Sequence, residues 1–334
     1  MKEFIPWADI EQFHNIRKYI KAYPDLYPNS QVTYKAKVKL HGTNAAIQCY
    51  SDGTVIAQSR TQIISENNDN AGFAKFVKQN ESAFNLKNDM ILFGEWAGKS
   101  IQSSVAVSQL DKSFYIFAAK SLVDDTFIIE PDQLKAMIGN ISNTFVIPWY
   151  YIDHGITTME VKRLGFYTDF IVDWLKSDED LKAVTGLINR QVIKVEDEDP
   201  FIKTLGVSGT GEGLVFYPTS SSHLGYENFK NLTFKAKGEV HRVKKAKEAV
   251  QVNPDLVSSI EKFVDIFVTE QRLNQGLSTV CPNGFDKKFI GKFIAWVVSD
   301  VEKESKDELE VSGLIFGQVS KAVTDRAKKW ILLK

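Results

Sequence analysis

The sequence has little cysteine and histidine, which argues against the disulfide bonds and zinc sites that stabilise many small domains. Its 334 residues contain 2 cysteines and 5 histidines. Cys49 and Cys281 lie far apart in the chain, so we expect no disulfide framework, and no close set of cysteines and histidines suggests a zinc site. A chain of this length needs neither disulfide bonds nor a structural metal, because it can bury a sizeable apolar core. We expect a reducing compartment, the cytoplasm, which for a viral protein is the host cytoplasm.

An excess of charge of one sign is also absent. The 41 lysines and arginines balance 42 aspartates and glutamates, for a net charge of -1. This balance excludes a histone-like, polybasic protein, but it leaves room for an enzyme whose basic cleft is offset by an acidic back. The apolar stretches are too short to span a bilayer, and the first residues lack the apolar segment of a secretory signal. We therefore expect no membrane partner.

The spacing of apolar residues predicts two domains of different class. From Val32 to Arg60, apolar and polar residues alternate, and Asp52–Gly53 is typical of a hairpin turn. After Pro254 the apolar spacing is helical. We therefore predict an α+β domain at 1–247, built of antiparallel sheets with flanking helices, and a small all-α domain at 248–334. Further strands are predicted at 90–96, 113–119, 213–218 and 231–237, helices at 7–22, 131–139 and 160–190, and a solvated turn at 196–199.

Lysines occupy one face of two predicted strands, because side chains alternate along a strand. The first strand carries Lys35, Lys37, Lys39 and His41 on one face, and the second carries Lys235 and Lys237. A solvated basic face is the simpler interpretation, although such a face usually mixes charges of both signs. Brought together, the two rows would form a positive pocket that holds a polyphosphate. Such a pocket also lowers the pKa of a lysine, whose neutral amine is a nucleophile.

Two carboxylates, Glu95 and Glu212, stand in apolar, strand-like surroundings, each directly after a glycine. Acidic residues rarely occupy such places without a partner. Either they form ordinary salt bridges to the lysines, or they bind a ribose and a Mg²⁺ ion, which prefers oxygen ligands.

Two glycine-rich segments are not nucleotide loops. Residues 94–100 are one residue short of a P-loop, and residues 209–213 lack the βαβ setting of a dinucleotide fingerprint.

Six motifs follow one another along the chain. Residues 39–44 read KLHGTN, 59–60 SR, 93–98 FGEWAG, 114–117 FYIF, 212–215 EGLV and 234–237 FKAK. In this order they resemble the covalent nucleotidyltransferase superfamily of ATP-dependent ligases and capping enzymes. The forms of the first, third and fourth motifs are similar to the RNA ligase 2 family. That family includes the second RNA ligase of T-even phages and the trypanosome RNA-editing ligases.

The resemblance implies a role for each motif residue. It makes Lys39 the lysine that carries the nucleotide, with Lys235 and Lys237 as catalytic partners at the α-phosphate. Glu95 is implied to hold the ribose and Phe117 to stack on the adenine. Glu95 and Glu212 are the implied metal contacts. The implied ATP or AMP site consists of Lys37, Lys39, Leu40, Arg60, Glu95, Phe117, Glu212, Lys235 and Lys237. The implied contacts to RNA or its phosphates come from His41, Thr43, Asn44 and Arg60.

The same resemblance implies an ATP-dependent RNA ligase that seals 3′-hydroxyl and 5′-phosphate RNA ends. ATP and Mg²⁺, or Mn²⁺, are the implied cofactors, and a nicked RNA duplex bound by a monomer is the implied substrate. A DNA ligase or a capping guanylyltransferase is an alternative, but both normally carry an OB-fold domain after the last motif, where this sequence is helical. The alternative from another class is a nucleic-acid-binding module without catalysis. The presence of Lys39, Lys235 and Lys237 disfavours it.

Two positions depart from the family pattern. Tyr217 stands where the fifth motif usually has a lysine, and Ala118 stands where an aspartate is common after Phe117. A lysine at 217 is expected to be tolerated if that position normally holds phosphate. It is expected to be damaging if the tyrosine ring fills a rearranged pocket. In the helical domain, the candidates for gripping RNA are simply basic residues: Arg272, Lys287, Lys288 and Lys292.

Overall fold

The structure, a computed structural model, describes residues 2–8, 10–27, 30–86, 88–152, 169–238, 254–281, 285–306, 309 and 315–334. The described residues divide into two compact units. The first takes its residues from Met1–Ile63 and Phe76–Gly238, and the second from Ile64–Lys75 and Glu239–Lys334. The predicted domain boundary at residue 247 lies outside the described residues. Among the described helices, none is long and apolar enough to cross a membrane.

Sheet A, in the first unit, carries both rows of lysines. Its five strands are, in spatial order, β1 (Glu11–Gln12), β11 (Phe234–Lys237), β10 (Gly213–Pro218), β2 (Gln31–Lys39) and β9 (Phe170–Asp173). All neighbours are antiparallel except β1 and β11. Because paired residues on neighbouring strands point to the same face, the lysines of β2 and β11 lie on one face, on either side of β10. Val38, Leu214 and Phe234 point to the other face and are buried in the core.

Sheet B has six strands and lies in the same unit. In spatial order they are β4 (Val55–Ser59), β3 (Thr43–Cys49), β5 (Met90–Ala97), β6 (Ser113–Ser121) and β7 (Phe127–Ile128), with β8 (Thr144–Val146) paired to β6. Strands β3 and β4 form the predicted hairpin. The ladder between β5 and β6 contains an irregularity of the β-bulge type. Phe93 lies opposite Ala118 and Gly94 lies opposite Ile116, so Phe117 has no partner on β5.

Helices flank these sheets. Helix α1 (Phe13–Ala22) buries Ile16 and Ile20, which are four residues apart, in the core of the first unit. The other helices in this part of the chain are α2 (Phe73–Gln79), α3 (Pro131–Ile138), α4 (Asp178–Asp197), α5 (Pro200–Thr204) and α6 (Tyr226–Leu232). This arrangement confirms the predicted α+β class, with antiparallel sheets and flanking helices.

The second unit is helical. Helices α7 (Pro254–Phe267), α8 (Glu270–Val280), α9 (Ile290–Glu304) and α10 (Phe316–Ile331) contribute to one apolar core. Val297 and Val301 on α9, and Val319 and Val323 on α10, are fully buried at a spacing of four residues, as expected for amphipathic helices. In the described residues of this unit no strand occurs, so the helical C-terminal region is as predicted.

The predicted helix over 7–22 was too long. The helix begins only at Phe13, because residues 11–12 pair with β11 as the short strand β1. A strand partner distant in sequence thus overrides the local apolar spacing, which continues unbroken through this segment.

The predictions after residue 160 were also wrong in part. Residues 153–168 lie outside the described part of the chain, and residues 170–173 form β9 rather than helix. Helix α4 begins at Asp178, after Ser177, whose side chain accepts the N–H of Asp180. The segment 196–199 is not a solvated turn. Helix α4 runs through its first half, and the buried carboxylate of Asp199 accepts two N–H groups at the start of α5.

Candidate active site

Glu212 lies at the centre of a cluster of basic side chains. Its Oε2 atom lies 2.6 Å from Nζ of Lys39 and 3.6 Å from Nδ1 of His41, and its Oε1 atom lies 3.3 Å from Nζ of Lys237. The Glu212 side chain is 3% exposed, whereas that of Lys39 is 22% exposed. The two predicted lysine rows therefore meet at one buried carboxylate. Glu212 forms the salt bridges that were one of its two expected roles.

Gly213 allows the two lysine rows to meet. It lies opposite both Lys39 on β2 and Lys237 on β11, so a side chain at this position would stand between the two ammonium groups. A Cβ atom here would also lie 2.2 Å from the carbonyl oxygen of Ala236, and the φ of +152° is strained for any residue with a side chain. This geometry explains why a glycine follows Glu212 in the sequence.

The charges in this cluster shift the protonation of its members. Burial alone would raise the pKa of Glu212, but the charges of Lys39 and Lys237 and a hydrogen bond from His41 hold that pKa well below its usual range. Glu212 is therefore ionised at neutral pH. Burial lowers the pKa of Lys237 to about 7, against the charge of Glu212 and with the help of Lys39 and Lys235. Lys237 can consequently exchange a proton near neutral pH.

Glu95 on β5 is tied to the loop that follows Lys39. Its Oε1 atom accepts a hydrogen bond of 2.9 Å from the N–H of Gly42, and Glu95 lies opposite Asn44 in the ladder of β3 and β5. A Cβ atom at Gly42 would lie 2.5 Å from the carbonyl oxygen of Trp96, so only a glycine lets the loop approach β5 this closely. The KLHGTN and FGEWAG motifs are thus brought together where β2 ends.

Phe117 lies at the irregularity of β6 and is 9% exposed. Its ring centroid lies 4.8 Å from that of Trp7. Trp7 was the first residue of the helix predicted at 7–22, but it precedes the first strand, and its contact with Phe117 was not predicted. Trp149 and Glu130 were also missed, because both lie outside the predicted helices and strands. The Trp149 ring lies 4.7 Å from Nζ of Lys37, and its Nε1 donates to both carboxylate oxygens of Glu130, at 2.9 and 3.0 Å.

The remaining predicted residues are divided between the two sheets. Lys235 lies opposite Val215 in sheet A. Thr43 begins β3 and Arg60 directly follows β4, so both belong to sheet B. Leu40 differs from the others, because its side chain is buried in the core. Only the main chain of Leu40 could therefore contact a nucleotide.

Within the described part of the chain, the site has no preformed set of ligands for a divalent cation. Among the residues that the structure describes, no three histidine, cysteine, aspartate or glutamate side chains group as metal ligands. Both oxygens of Glu212 face cations, and Oε1 of Glu95 accepts an N–H. Mg²⁺ is usually held by one or two carboxylates together with waters and substrate phosphates. The site therefore fits a magnesium ion that arrives with a nucleotide, for which Glu95 and Glu212 remain the predicted carboxylates.

Solved structures of one protein are similar to this chain. Two mutant forms of the Naegleria gruberi RNA ligase, one with ATP and Mn and one with AMP and Mn, are each 17% identical, with a TM-score of 0.45. A third mutant form, without ligand, gives the same values. Each match covers 72% of this chain and 58% of the other. This chain therefore spans less than two thirds of the length of those structures. No curated protein matches the sequence.

The sequence model of a family described as RNA ligase matches residues 33–237. This range covers more than half of the sequence and contains all six motifs, from KLHGTN to FKAK. It also contains every residue of the cluster around Glu212. The chain belongs to the RNA ligase family.

Proposed function

We propose that this protein is an ATP-dependent RNA ligase that acts through a lysine–AMP intermediate. The observation that carries the proposal is the salt bridge between Lys39 and the buried Glu212, with Lys237 on the other oxygen of the same carboxylate. Lys39 ends its strand just before the tight approach at Gly42, where a ligand can come close to the backbone. The match to the RNA ligase family supports the same function.

In the first step, Nζ of Lys39 attacks the α-phosphorus of ATP. The bond to the bridging oxygen breaks, pyrophosphate leaves, and a lysine–AMP phosphoramidate remains. The Lys39 ammonium must lose a proton before it can attack. Lys237 is the proposed proton acceptor, because burial lowers its pKa to about 7. The cations around Glu212 would compensate the negative charge that develops on the phosphate.

In the second step, an oxygen of the RNA 5′-phosphate attacks the phosphorus of AMP, the bond to Nζ breaks, and Lys39 is released. In the third, the RNA 3′-hydroxyl attacks the 5′-phosphorus, AMP leaves, and a phosphodiester remains. Each step is an in-line displacement, so the protein mainly positions groups and neutralises charge. We assign the ribose to Glu95 and the adenine to Phe117. The RNA ends and leaving phosphates are assigned to His41, Thr43, Asn44 and Arg60.

The proposed cofactors are ATP and Mg²⁺, with Mn²⁺ as a substitute. A metal ion bound with the triphosphate would polarise its oxygens. Glu95 and Glu212 are the carboxylates proposed to approach it. The natural substrate is proposed to be a nicked RNA duplex, bound by a monomer in the cytoplasm.

We also propose a division of labour between residues 1–247, which adenylylate, and residues 248–334, which hold the RNA. Arg272 is a weaker RNA contact than its charge indicates, because its Nε lies 2.8 Å from Asp300 and its side chain is 16% exposed. Three exposed lysines around Phe289 are the better candidates: Lys287, Lys288 and Lys292. Lysines beside an aromatic ring suit an RNA strand, whose phosphates and bases they can contact together.

A fragment of residues 1–247 tests this division. It is expected to form the lysine–AMP adduct and to join a pre-adenylated RNA end weakly, because that step needs no ATP. It is expected to fail at sealing an ordinary 5′-phosphate nick. Full nick sealing by the fragment would show that the helical part is dispensable. Loss of the adduct in a demonstrably folded fragment would place the helical part in the nucleotide site.

Two assays separate the proposal from its alternatives. Incubation with α-labelled ATP or GTP, followed by a denaturing gel, is expected to give a covalent label from ATP alone. Label from GTP would favour a capping enzyme, and no label from either would favour a binding module without catalysis. Matched nicks with RNA or DNA on each side of the break are expected to be sealed best when the 3′-hydroxyl strand is RNA. Preference for DNA on both sides would favour a DNA ligase.

A further inference from the structure

Lys37 is a fully buried lysine in the middle of β2. Its exposure is 0%, whereas the side chains of Lys35 and Lys39, two residues before and after it on the same face, are 24% and 22% exposed. Burial of an amine is costly unless its N–H groups find acceptors. All three lysines point to the same face of the strand. Lys37 is therefore more buried than the other two because of the residues that pack against it.

The amine of Lys37 joins the two sheets. Its Nζ donates to the carbonyl oxygens of Phe117 and Ile129, each at 2.7 Å. Lys37 belongs to sheet A, whereas Phe117 lies on β6 of sheet B and Ile129 directly follows β7. One side chain therefore fixes main-chain atoms of the opposite sheet at two places.

The acceptor at Phe117 is unusual because of its position in the ladder. Phe117 is the residue that the irregularity leaves without a partner on β5, and its ladders with β7 and β8 also omit it. A bulge re-aims the side chain that it carries and interrupts the regular pairing of its backbone. Lys37 supplies the hydrogen bond that a partner strand would otherwise make to this carbonyl.

The surroundings of Lys37 accept either protonation state. Burial lowers its pKa to about 7, and the charge of Glu130 opposes that shift. The rings of Trp149 and Tyr217 lie 4.7 and 5.8 Å from Nζ, within the range of a cation–π contact. A neutral amine has two N–H groups and an ammonium has three, so both carbonyl contacts survive the loss of a proton.

We propose that Lys37 is a positioning residue of the nucleotide site, which holds the bulge of β6 so that the Phe117 ring meets the adenine base. The inference rests on the proposed ligase function and replaces a direct contact of Lys37 with ATP by an indirect one through Phe117. It predicts a defect confined to recognition of the base. The phosphates, which the cluster around Glu212 holds, are unaffected.

The test compares Lys37→Met with Lys35→Met in the full-length protein. The matched control removes a lysine from the same face of the same strand. The Nζ of Lys35 lies 3.8 and 3.9 Å from the carboxylates of Glu130 and Asp169 and 5.4 Å from the Trp149 ring. Two quantities are measured for each variant: the KM for ATP in adduct formation, and the inhibition constant of tripolyphosphate, which has no base. Lys37→Met is expected to raise the KM for ATP about tenfold, the order of one lost base–aromatic stack. Its maximal rate and its affinity for tripolyphosphate are expected to match the parent protein.

Three results would overturn the inference. Equal weakening of ATP and tripolyphosphate would place Lys37 at the phosphates or make it a general determinant of stability. A KM for ATP equal to that of Lys35→Met would leave Lys37 without a role in the site. Absence of any adduct in the parent protein would remove the ligase function and this inference with it. If Lys37→Met lacks a cooperative thermal transition, Lys37→Gln, which keeps an N–H donor, is measured instead, with an intermediate KM expected.

Discussion

The ammonium of Lys39 lies 2.6 Å from Oε2 of Glu212, a carboxylate that is 3% exposed. Before ATP binds, the proposed nucleophile is therefore held in an ion pair. Attack on ATP requires that Lys39 lose both the proton and the partner. Because Lys237 shares the same carboxylate, Glu212 can remain paired when Lys39 turns to the phosphate.

Removal of Glu212 should therefore destabilise the protein without ATP more than with it. Glu212→Gln leaves the amines of Lys39 and Lys237 without their buried anion, and breaking such a pair costs about 3–5 kcal/mol. A triphosphate restores negative charge to the same place. We expect a lower Tm for Glu212→Gln and a larger rise in Tm on adding α,β-methylene ATP, which cannot be cleaved by Lys39. An equal rise in the two proteins would show that the phosphates do not bind at this cluster.

Phe117 should contribute to ATP affinity beyond its part in the core. Phe117→Leu keeps an apolar side chain but loses the ring, and base stacking on an aromatic side chain is worth about 1–3 kcal/mol. The matched control is Phe127→Leu, because Phe127 is also buried against Trp7 but lies on β7. Titration with α,β-methylene ATP should show weaker binding only for Phe117→Leu. Equal affinities in both variants would make Phe117 an ordinary core residue.

Tyr217→Lys should be damaging. Tyr217 is 2% exposed, and its ring lies 5.8 Å from Nζ of Lys37 and 6.0 Å from the ring of Phe229. A lysine in this aromatic setting would place a second amine beside the buried one, and like charges there repel. We expect a lower Tm and weaker ATP binding, with partial recovery of Tm when Lys37→Met is added. Tyr217→Phe, which keeps the ring, serves as the control. Normal behaviour of Tyr217→Lys would favour a phosphate contact at this position.

The titration of Lys37 should contribute to the pH dependence of the folding stability. Its pKa in the folded protein is about 7, below the ordinary value of 10.5. Between these two values the unfolded chain holds a proton that the folded protein has lost, so raising the pH favours the folded state. Urea midpoints should therefore rise with pH less steeply in Lys37→Met than in the parent. Lys35→Met should keep the parent's slope, and the same slope in all three proteins would show that Lys37 stays protonated.

The lysine rows were predictable from the sequence, because alternation along a strand determines which side chains share a face. The roles of the motif residues were implied by the resemblance to the RNA ligase 2 family. What the sequence did not indicate was their partners. Glu212 meets both Lys39 and Lys237 only because β10 lies between β2 and β11, and that order depends on pairing between distant segments. Lys37 and Lys39 have the same sequence pattern, yet only Lys37 is covered by Trp149, which is remote in the chain.

The irregularity at Phe117 could not be predicted from the sequence either. Residues 113–119 read as a regular strand, and a bulge arises from the mismatch between two strands rather than from either sequence alone. Residues 11–12 were assigned to a helix for a related reason, since only the proximity of β11 makes them a strand. In both cases a contact between segments that are distant in the sequence determined the local structure, and the local pattern did not predict it.

The proposed function requires that Lys39 become covalently joined to AMP. Incubation of the full-length protein with α-labelled ATP and Mg²⁺, followed by proteolysis and mass spectrometry, should find the adduct on the peptide that contains Lys39. Lys39→Ala and Lys39→Arg should both give no adduct, because alanine lacks an amine and a guanidinium stays protonated. Their Tm values should show that both variants remain folded. An adduct that persists in a folded Lys39→Ala, or that maps to Lys235 or Lys237, would show that Lys39 is not the nucleophile.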